Sequence, residues 1–171
     1  MGAREQGAGA IDGRWLVIPR TLCFVFNGDD VLLMKRAADR RVFPNRYNGV
    51  GGHIERGEDP LTGARREIKE ETGLEVHDIQ LRAVYNVDAG EDTGIGLFVF
   101  TATSNSRKVT DGDKEGTLHW IARDKVLELD LVEDLPYILP RILEPRPAVV
   151  LLSVHVSYDA DDVIQMRIAD A

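Results

Sequence analysis

Three glutamates recur at spacings of three and four residues within one segment of the chain: Glu67, Glu70 and Glu71. At about 100° per residue, a helix places all three on one arc. The neighbouring stripe is apolar and consists of Leu61, Ala64 and Ile68. Like charges at these spacings repel, each pair costing about 0.2–0.5 kcal/mol on an exposed helix. Folding alone does not require this arrangement, so the sequence indicates an acidic face built for chemistry.

Clustered carboxylates suit hard divalent cations, which take oxygen ligands and complete their shell with waters and substrate phosphates. Such cations neutralise phosphate charge and lower the pKa of a bound water, so that it can attack phosphorus at neutral pH. The arc therefore predicts a Mg²⁺ or Mn²⁺ site beside a polyphosphate. A solvated acidic face, balanced by Arg65, Arg66 and Lys69, is the alternative interpretation.

The segment that carries the arc has the end signals of a helix over Pro60–Thr72. Asp59 can cap free N–H groups, and Pro60 is tolerated at the first helical position. Gly73 stands where a left-handed C-terminal residue belongs.

Further residues stand at fixed intervals around this helix. Five residues separate Gly52 from Glu58, seven lead on to Arg66-Glu67-Ile68, one to Glu70-Glu71 and one to Gly73-Leu74. These positions match the whole Nudix box, so the chain is identified as a member of the Nudix hydrolase family.

The resemblance implies hydrolysis of a nucleoside diphosphate linked to a moiety X, on an α/β/α sandwich. It implies that Glu67, Glu70 and Glu71 are metal ligands, that one of them is a candidate general base, and that the Gly52 carbonyl is a further ligand. Arg66 and Glu58 would orient the ligating carboxylates. Glu115 is the candidate for an additional glutamate from a later loop, with an ordinary turn residue as the alternative.

Outside the box, the chain resembles the MutT-like branch that hydrolyses oxidised purine nucleoside triphosphates. That likeness implies base contacts from Asn48 and Asp134, although Asn48 could also make a turn and Asp134 could also cap a helix. The chain departs from this branch at Val132, where a stacking Trp is found, and at His53, which replaces a Lys.

A basic patch lies ahead of the box, and Lys35 is its candidate substrate-binding residue. The patch either meets substrate phosphates or is solvated, and it comprises Lys35, Arg36, Arg40, Arg41 and Arg46.

The remaining pattern predicts an α+β fold with a mixed sheet. Strands are expected over Trp15–Phe26, Val31–Lys35, Val76–Val87, Ile95–Thr103, Thr117–Ala122, Ala148–Ser157 and Val163–Ile168, with short helices over Arg123–Leu129 and Glu133–Leu143. We expect a flexible arm over residues 1–13 and a single domain over residues 14–171. Trp15 and Trp120 are expected in the core.

Composition narrows the function classes. The 171 residues carry a net charge of −8, so no global positive field would attract a nucleic-acid polymer or an anionic membrane. Cys23 is the only cysteine, which excludes an intrachain disulfide, and we expect a buried structural thiol. No apolar stretch approaches the roughly 20 residues that span a bilayer. We expect a cytoplasmic protein with a small nucleotide as its partner, and a homodimer is left open.

The favoured activity is pyrophosphohydrolysis of a nucleoside triphosphate, oxidised purine ones included, to a nucleoside monophosphate and pyrophosphate. The alternative substrates are ADP-ribose, dinucleoside polyphosphates and nucleotide sugars. They stay open because the Nudix box determines which bond is hydrolysed but not which group X is attached to the nucleoside diphosphate. A non-catalytic nucleotide-sensing module is the alternative of another class. A calcium loop at Asp111–Gly116 is rejected because Ala122 stands where its last glutamate belongs.

Overall fold

The computed structural model describes residues 13–110, 114–143 and 150–170, with eight strands, two α-helices and one 3₁₀ helix among them. The strands are β1 (Leu16–Asn27), β2 (Asp30–Arg36), β3 (Tyr47–Asn48), β4 (His77–Val87), β5 (Thr93–Thr103), β6 (Gly116–Ala122), β7 (Leu152–Tyr158) and β8 (Ile164–Asp170). The helices are α1 (Pro60–Thr72) and α2 (Leu135–Ile142), and the 3₁₀ helix is Arg123–Glu128.

All the strands belong to one sheet, in the order β3-β2-β1-β5-β4-β7-β8, and β6 pairs with β2. The pairs β1–β5 and β4–β7 are parallel, whereas the hairpins β1–β2, β4–β5 and β7–β8 are antiparallel. The expected mixed sheet is therefore confirmed.

The two helices cover opposite faces of this sheet. Cys23 and Val25 of β1 pack in one buried cluster with Ile68 of α1. Leu22 and Phe24, which alternate with them, pack in another cluster with the buried side chains of α2. Because successive strand residues point to opposite faces, one strand supplies both cores. The α/β/α sandwich is confirmed, and Cys23 is fully buried.

Both ends of α1 form as the sequence predicts. The Asp59 carboxylate accepts the backbone N–H groups of Leu61 and Thr62, at 2.9 and 3.0 Å. Gly73 has φ 74° and donates its N–H to the Lys69 carbonyl. These local contacts fix where the helix begins and ends, and therefore which residues share its acidic arc.

Several expectations outside α1 need adjustment. The short helix expected after β6 is a 3₁₀ helix that ends one residue earlier, at Glu128, and α2 starts two residues later than expected, at Leu135. Trp15 is 42% exposed, so placing it in the core was wrong; its ring lies over Gly94 near the start of β5 instead. The arm predicted over residues 1–13 lies almost wholly outside the described residues, as does the start of the strand predicted from Ala148. Neither described α-helix has the length and apolarity to cross a membrane.

The packing of α1 predicts a contrast between two of its aliphatic residues. Ile68 is fully buried against the sheet, whereas Leu61 is 42% exposed. Ile68→Ala should lower the free energy of unfolding by about 2–5 kcal/mol, because it leaves a cavity. Leu61→Ala should change it by about 0.5 kcal/mol or less. Urea denaturation of both variants measures the difference, and equal effects would contradict the packing described.

Candidate active site

Gly51 and Gly52 form a backbone segment between β1 and the acidic arc of α1, which we call the glycine strip. The Thr21 N–H donates to the Gly52 carbonyl at 2.8 Å, and the Gly51 N–H donates to the Glu71 carboxylate at 2.9 Å. A Cβ on Gly51 would collide with the Thr21 carbonyl, and one on Gly52 would lie 2.7 Å from the Glu67 carboxylate. Only glycine lets the backbone approach both the strand and the carboxylates this closely.

Arg66 holds the outer part of the arc together. Its guanidinium binds both oxygens of Glu58, at 3.1 and 2.6 Å, and donates to the His53 carbonyl at 3.0 Å. It also donates to Glu67 at 2.8 Å and to Glu70 at 3.0 Å. These bonds raise the pKa of Arg66 and lower that of Glu58. One cation thus fixes three carboxylates and the loop that precedes the helix.

The three glutamates of the arc differ in exposure. The Glu67 side chain is 14% exposed and lies against Gly52, whereas Glu70 is 60% exposed at the rim of the site. Glu71 is partly buried and faces Gly51. Glu67 and Glu71 therefore form the inner pair of the predicted ligands, and Glu70 is the outermost.

Glu115 lies beside Glu71, although 44 positions separate them in the sequence. Burial raises the pKa of Glu71 to about 8, the Gly51 N–H opposes the shift, and the charges of Glu115 and Glu67 add to it. The Glu71 and Glu115 side chains also share a hydrogen bond. The structure thus brings the later-loop glutamate to the box.

This donor set fits a cation that keeps waters and takes phosphate ligands. Among the described residues, no three His, Cys, Asp or Glu side chains are gathered closely enough to enclose a metal ion. Mg²⁺ commonly uses only one or two carboxylates together with substrate phosphates. The contact between Glu71 and Glu115 supplies two. Within the described part of the chain, the Gly52 carbonyl accepts one hydrogen bond, from the Thr21 N–H, so its second lone pair could face a cation.

Asn48 and Lys35 both belong to the β2–β3 pair, in which Asn48 pairs with Met34 and Lys35 pairs with Tyr47. Asn48 accepts the Gly49 N–H on its side-chain oxygen at 2.9 Å, which is the local turn contact that competes with base recognition. The Lys35 ammonium lies 5.8 Å from the centre of the Tyr47 ring, and that ring makes an edge contact with His119. Sequence reasoning did not single out Tyr47, because its pairing with residues after the 3₁₀ helix is long-range.

Asp134 precedes α2 but does not cap it with its side chain. Its carboxyl faces the hydroxyl of Tyr85, a β4 residue that is 2% exposed and that no sequence pattern distinguishes. Burial raises the pKa of Asp134 to about 6, the Tyr85 hydroxyl opposes the shift, and the charge of Glu133 adds to it. The charges of Glu133 and Asp134 also act on the hydroxyl of Tyr158 in β7. The helix-cap interpretation of Asp134 is therefore wrong.

The raised pKa of Asp134 predicts a pH-dependent stability. Between pH 4 and pH 6 the Asp134 carboxyl keeps a proton in the folded protein that it has lost in the unfolded chain. Its contribution to the free energy of unfolding therefore falls as pH rises through that window. At pH 7 the free energy of unfolding of Asp134→Asn should exceed that of the wild type by up to about 3 kcal/mol, so the variant should unfold at higher urea. This difference in free energy should shrink below pH 6. Denaturation curves from pH 4.5 to 8 measure it. Parallel pH profiles would show that burial does not shift this carboxyl.

Comparisons with known proteins agree with this arrangement. The model of the NUDIX domain family matches residues 17–142. A nucleoside triphosphatase, NudI, from Enterobacter sp. (strain 638) is 33% identical over 118 residues, which are 63% of this chain and 83% of that protein. The oxidized purine nucleoside triphosphate hydrolase of Mus musculus is 30% identical over 128 residues, which are 74% of this chain and 80% of that protein.

A solved structure shares the fold over most of the chain. The crystal structure of a MutT protein from Bacillus halodurans superposes with a TM-score of 0.74 at 29% identity, covering 89% of this chain and 97% of that one. The family match runs from β1 to the end of α2 and so includes the glycine strip and the whole acidic helix. The chain belongs to the NUDIX domain family and is a Nudix hydrolase.

Proposed function

We propose that this hydrolase cuts a nucleoside triphosphate into a nucleoside monophosphate and pyrophosphate, with Mg²⁺ or Mn²⁺ as its cofactor. The observation that carries the proposal is the meeting of Glu71 with Glu115 beside the Arg66-bound Glu67. Both relatives described above are named for action on nucleoside triphosphates, which supports this substrate class.

The residues that would hold the cation are the inner glutamates Glu67 and Glu71, the Gly52 carbonyl, Glu115 from the later loop and, at the rim, Glu70. When bound, the cation would neutralise phosphate charge and lower the pKa of the attacking water. Arg66 keeps Glu67 and Glu70 in place through charge-assisted hydrogen bonds, so the ligands need little reorganisation.

The attacking water must also give up a proton to a nearby base. Glu71 and Glu115 are the candidates, because the two carboxyl groups lie against each other beside the other proposed ligands.

We assign recognition of the base to Asn48 and Asp134, and a further substrate contact to Lys35. The segment before α2 lies alongside β3, since Val132 N–H donates to the Tyr47 carbonyl at 3.0 Å. This pairing brings the chain just ahead of Asp134 next to Asn48 on one edge of the sheet. An oxidised purine is the proposed base. A small nucleotide in the cytoplasm, rather than a nucleic-acid polymer, is the partner we propose, consistent with the net charge of −8.

A substrate panel tests the reaction. Ordinary and oxidised nucleoside triphosphates, ADP-ribose, dinucleoside polyphosphates and nucleotide sugars would each be assayed with Mg²⁺ and with Mn²⁺, separating pyrophosphate from phosphate. We expect pyrophosphate release from triphosphates, fastest with an oxidised purine. Preference for ADP-ribose or a nucleotide sugar would overturn the substrate class, and tight binding without turnover in either metal would indicate a sensing module.

Glu71→Gln tests the role of the inner carboxylates. Loss of a ligand or base should lower kcat by about 10²–10⁴-fold at saturating metal. Glu75→Gln is the matched control, because Glu75 is 84% exposed and binds only Lys69 among the described residues. Full activity of Glu71→Gln under saturating metal would show that the mechanism proposed is wrong.

A further inference from the structure

A turn after β2 brings the Arg40 side chain close to the carboxylate of Glu115, the residue just before β6. The Ala37 N–H donates to the Glu115 carbonyl at 2.9 Å, and the Arg40 N–H donates to the Ala37 carbonyl at 3.2 Å. The Arg40 guanidinium then lies 3.5 Å from the Glu115 carboxylate. Backbone bonds therefore set both partners of this ion pair.

The close pairing of β2 with β6 anchors Glu115 at this place. Gly116, the first residue of β6, pairs with Arg36 at the end of β2. A Cβ on Gly116 would collide with the Lys35 carbonyl, so the loop lies directly against the strand. Glu115 is thus held by its backbone, while its side chain has a choice of partners.

Those partners are one acidic and one basic side chain. On one side, the Glu115 carboxyl shares a hydrogen bond with Glu71, which two carboxyl groups can do only while one of them holds a proton. On the other side it meets Arg40, and Arg36 lies close enough to feel Arg40, Glu115 and Glu71. Burial and the charge of Arg40 lower the pKa of Arg36. The positive charges of Arg36 and Arg40 therefore lie next to the acidic pair of Glu71 and Glu115.

The Arg40–Glu115 pair is open to solvent, with the two side chains 38% and 40% exposed. Ion pairs this exposed contribute little to stability, so exchanging partners costs little. Guanidinium groups bind phosphates through two parallel hydrogen bonds, which makes a polyphosphate a better partner for Arg40 than a carboxylate at 3.5 Å.

We propose that Arg40 is a positioning residue: it holds Glu115 in the free protein and releases that carboxylate when a metal-bound polyphosphate reaches the site. This inference rests on the proposed function. Arg40 competes with the cation for Glu115 when the cation arrives alone. It cooperates with the cation when the polyphosphate arrives too, because the phosphates then take over the guanidinium. Arg40 thereby couples the binding of metal to the binding of substrate.

Competition and cooperation can be separated by binding measurements on the full chain. Chelator-treated wild type and Arg40→Gln would be titrated with Mn²⁺ alone, followed by electron paramagnetic resonance. Both would then be titrated with imidodiphosphate, a pyrophosphate analogue that resists hydrolysis, with and without saturating Mn²⁺, by calorimetry. Arg56→Gln is the matched control, since Arg56 is exposed in the turn before Glu58.

We expect opposite effects on the two ligands. Mn²⁺ alone should bind Arg40→Gln about two- to fivefold more tightly than wild type, the range for losing a partly exposed ion pair. Imidodiphosphate with Mn²⁺ should bind it about tenfold more weakly or worse, because charge-assisted bonds to phosphate are lost. Arg40→Lys should recover part of the phosphate affinity, and Arg56→Gln should follow the wild type in both titrations.

A merely structural role for Arg40 would weaken both ligands together, and that result would overturn the proposal. Unchanged affinity for both ligands in Arg40→Gln would overturn it as well, while leaving the proposed function intact. Failure of the wild type to bind Mn²⁺ would remove the proposed function first and this inference with it, so the two failures are distinguishable.

Discussion

Arg66 bonds to Glu58, Glu67, Glu70 and the His53 carbonyl, and this guanidinium allows the acidic face of α1 to persist in the folded protein. Like charges three and four residues apart would otherwise repel and turn outward to water. Because the Arg66 guanidinium also binds the His53 carbonyl in the loop before the helix, it fixes the distance between the glycine strip and the glutamates. Arg66 does not bind Glu71, whose pKa is raised by burial first and by the charges of Glu115 and Glu67 after it.

The sheet supplies the second constraint, since it determines which distant residues meet this helix. β1 holds Gly52 through the Thr21 N–H, and β2 carries both the basic turn and the pairing with β6 that delivers Glu115. The acidic centre thus lies where three segments converge on the α1 side of the sheet. The candidate base-binding residues lie near β3 and before α2, so cutting and base recognition depend on different parts of the fold.

How well the sequence predicted each feature depends on how local its cause is. The limits of α1 follow from Asp59 and Gly73, and its acidic arc follows from helical periodicity, so both could be predicted. The contact between Glu71 and Glu115 could only be expected from family resemblance, because it depends on strand pairing across the chain. Tyr85 beside Asp134 could not be predicted, since no local pattern distinguishes a buried Tyr on β4 from its neighbours. Trp15 was misjudged because the first residues of β1 are exposed in the folded sheet, which their apolar composition does not reveal.

The account's central claim is that the inner carboxylates of α1, with Glu115, bind a divalent cation next to a polyphosphate. Anomalous diffraction from crystals grown with Mn²⁺ and a non-hydrolysable nucleoside triphosphate analogue would locate that cation directly. We predict a Mn²⁺ peak within about 2–2.6 Å of carboxylate oxygens of Glu71 and of a second inner glutamate, and of a phosphate oxygen. A peak bound only by residues outside the acidic arc, with the nucleotide placed elsewhere, would contradict the account.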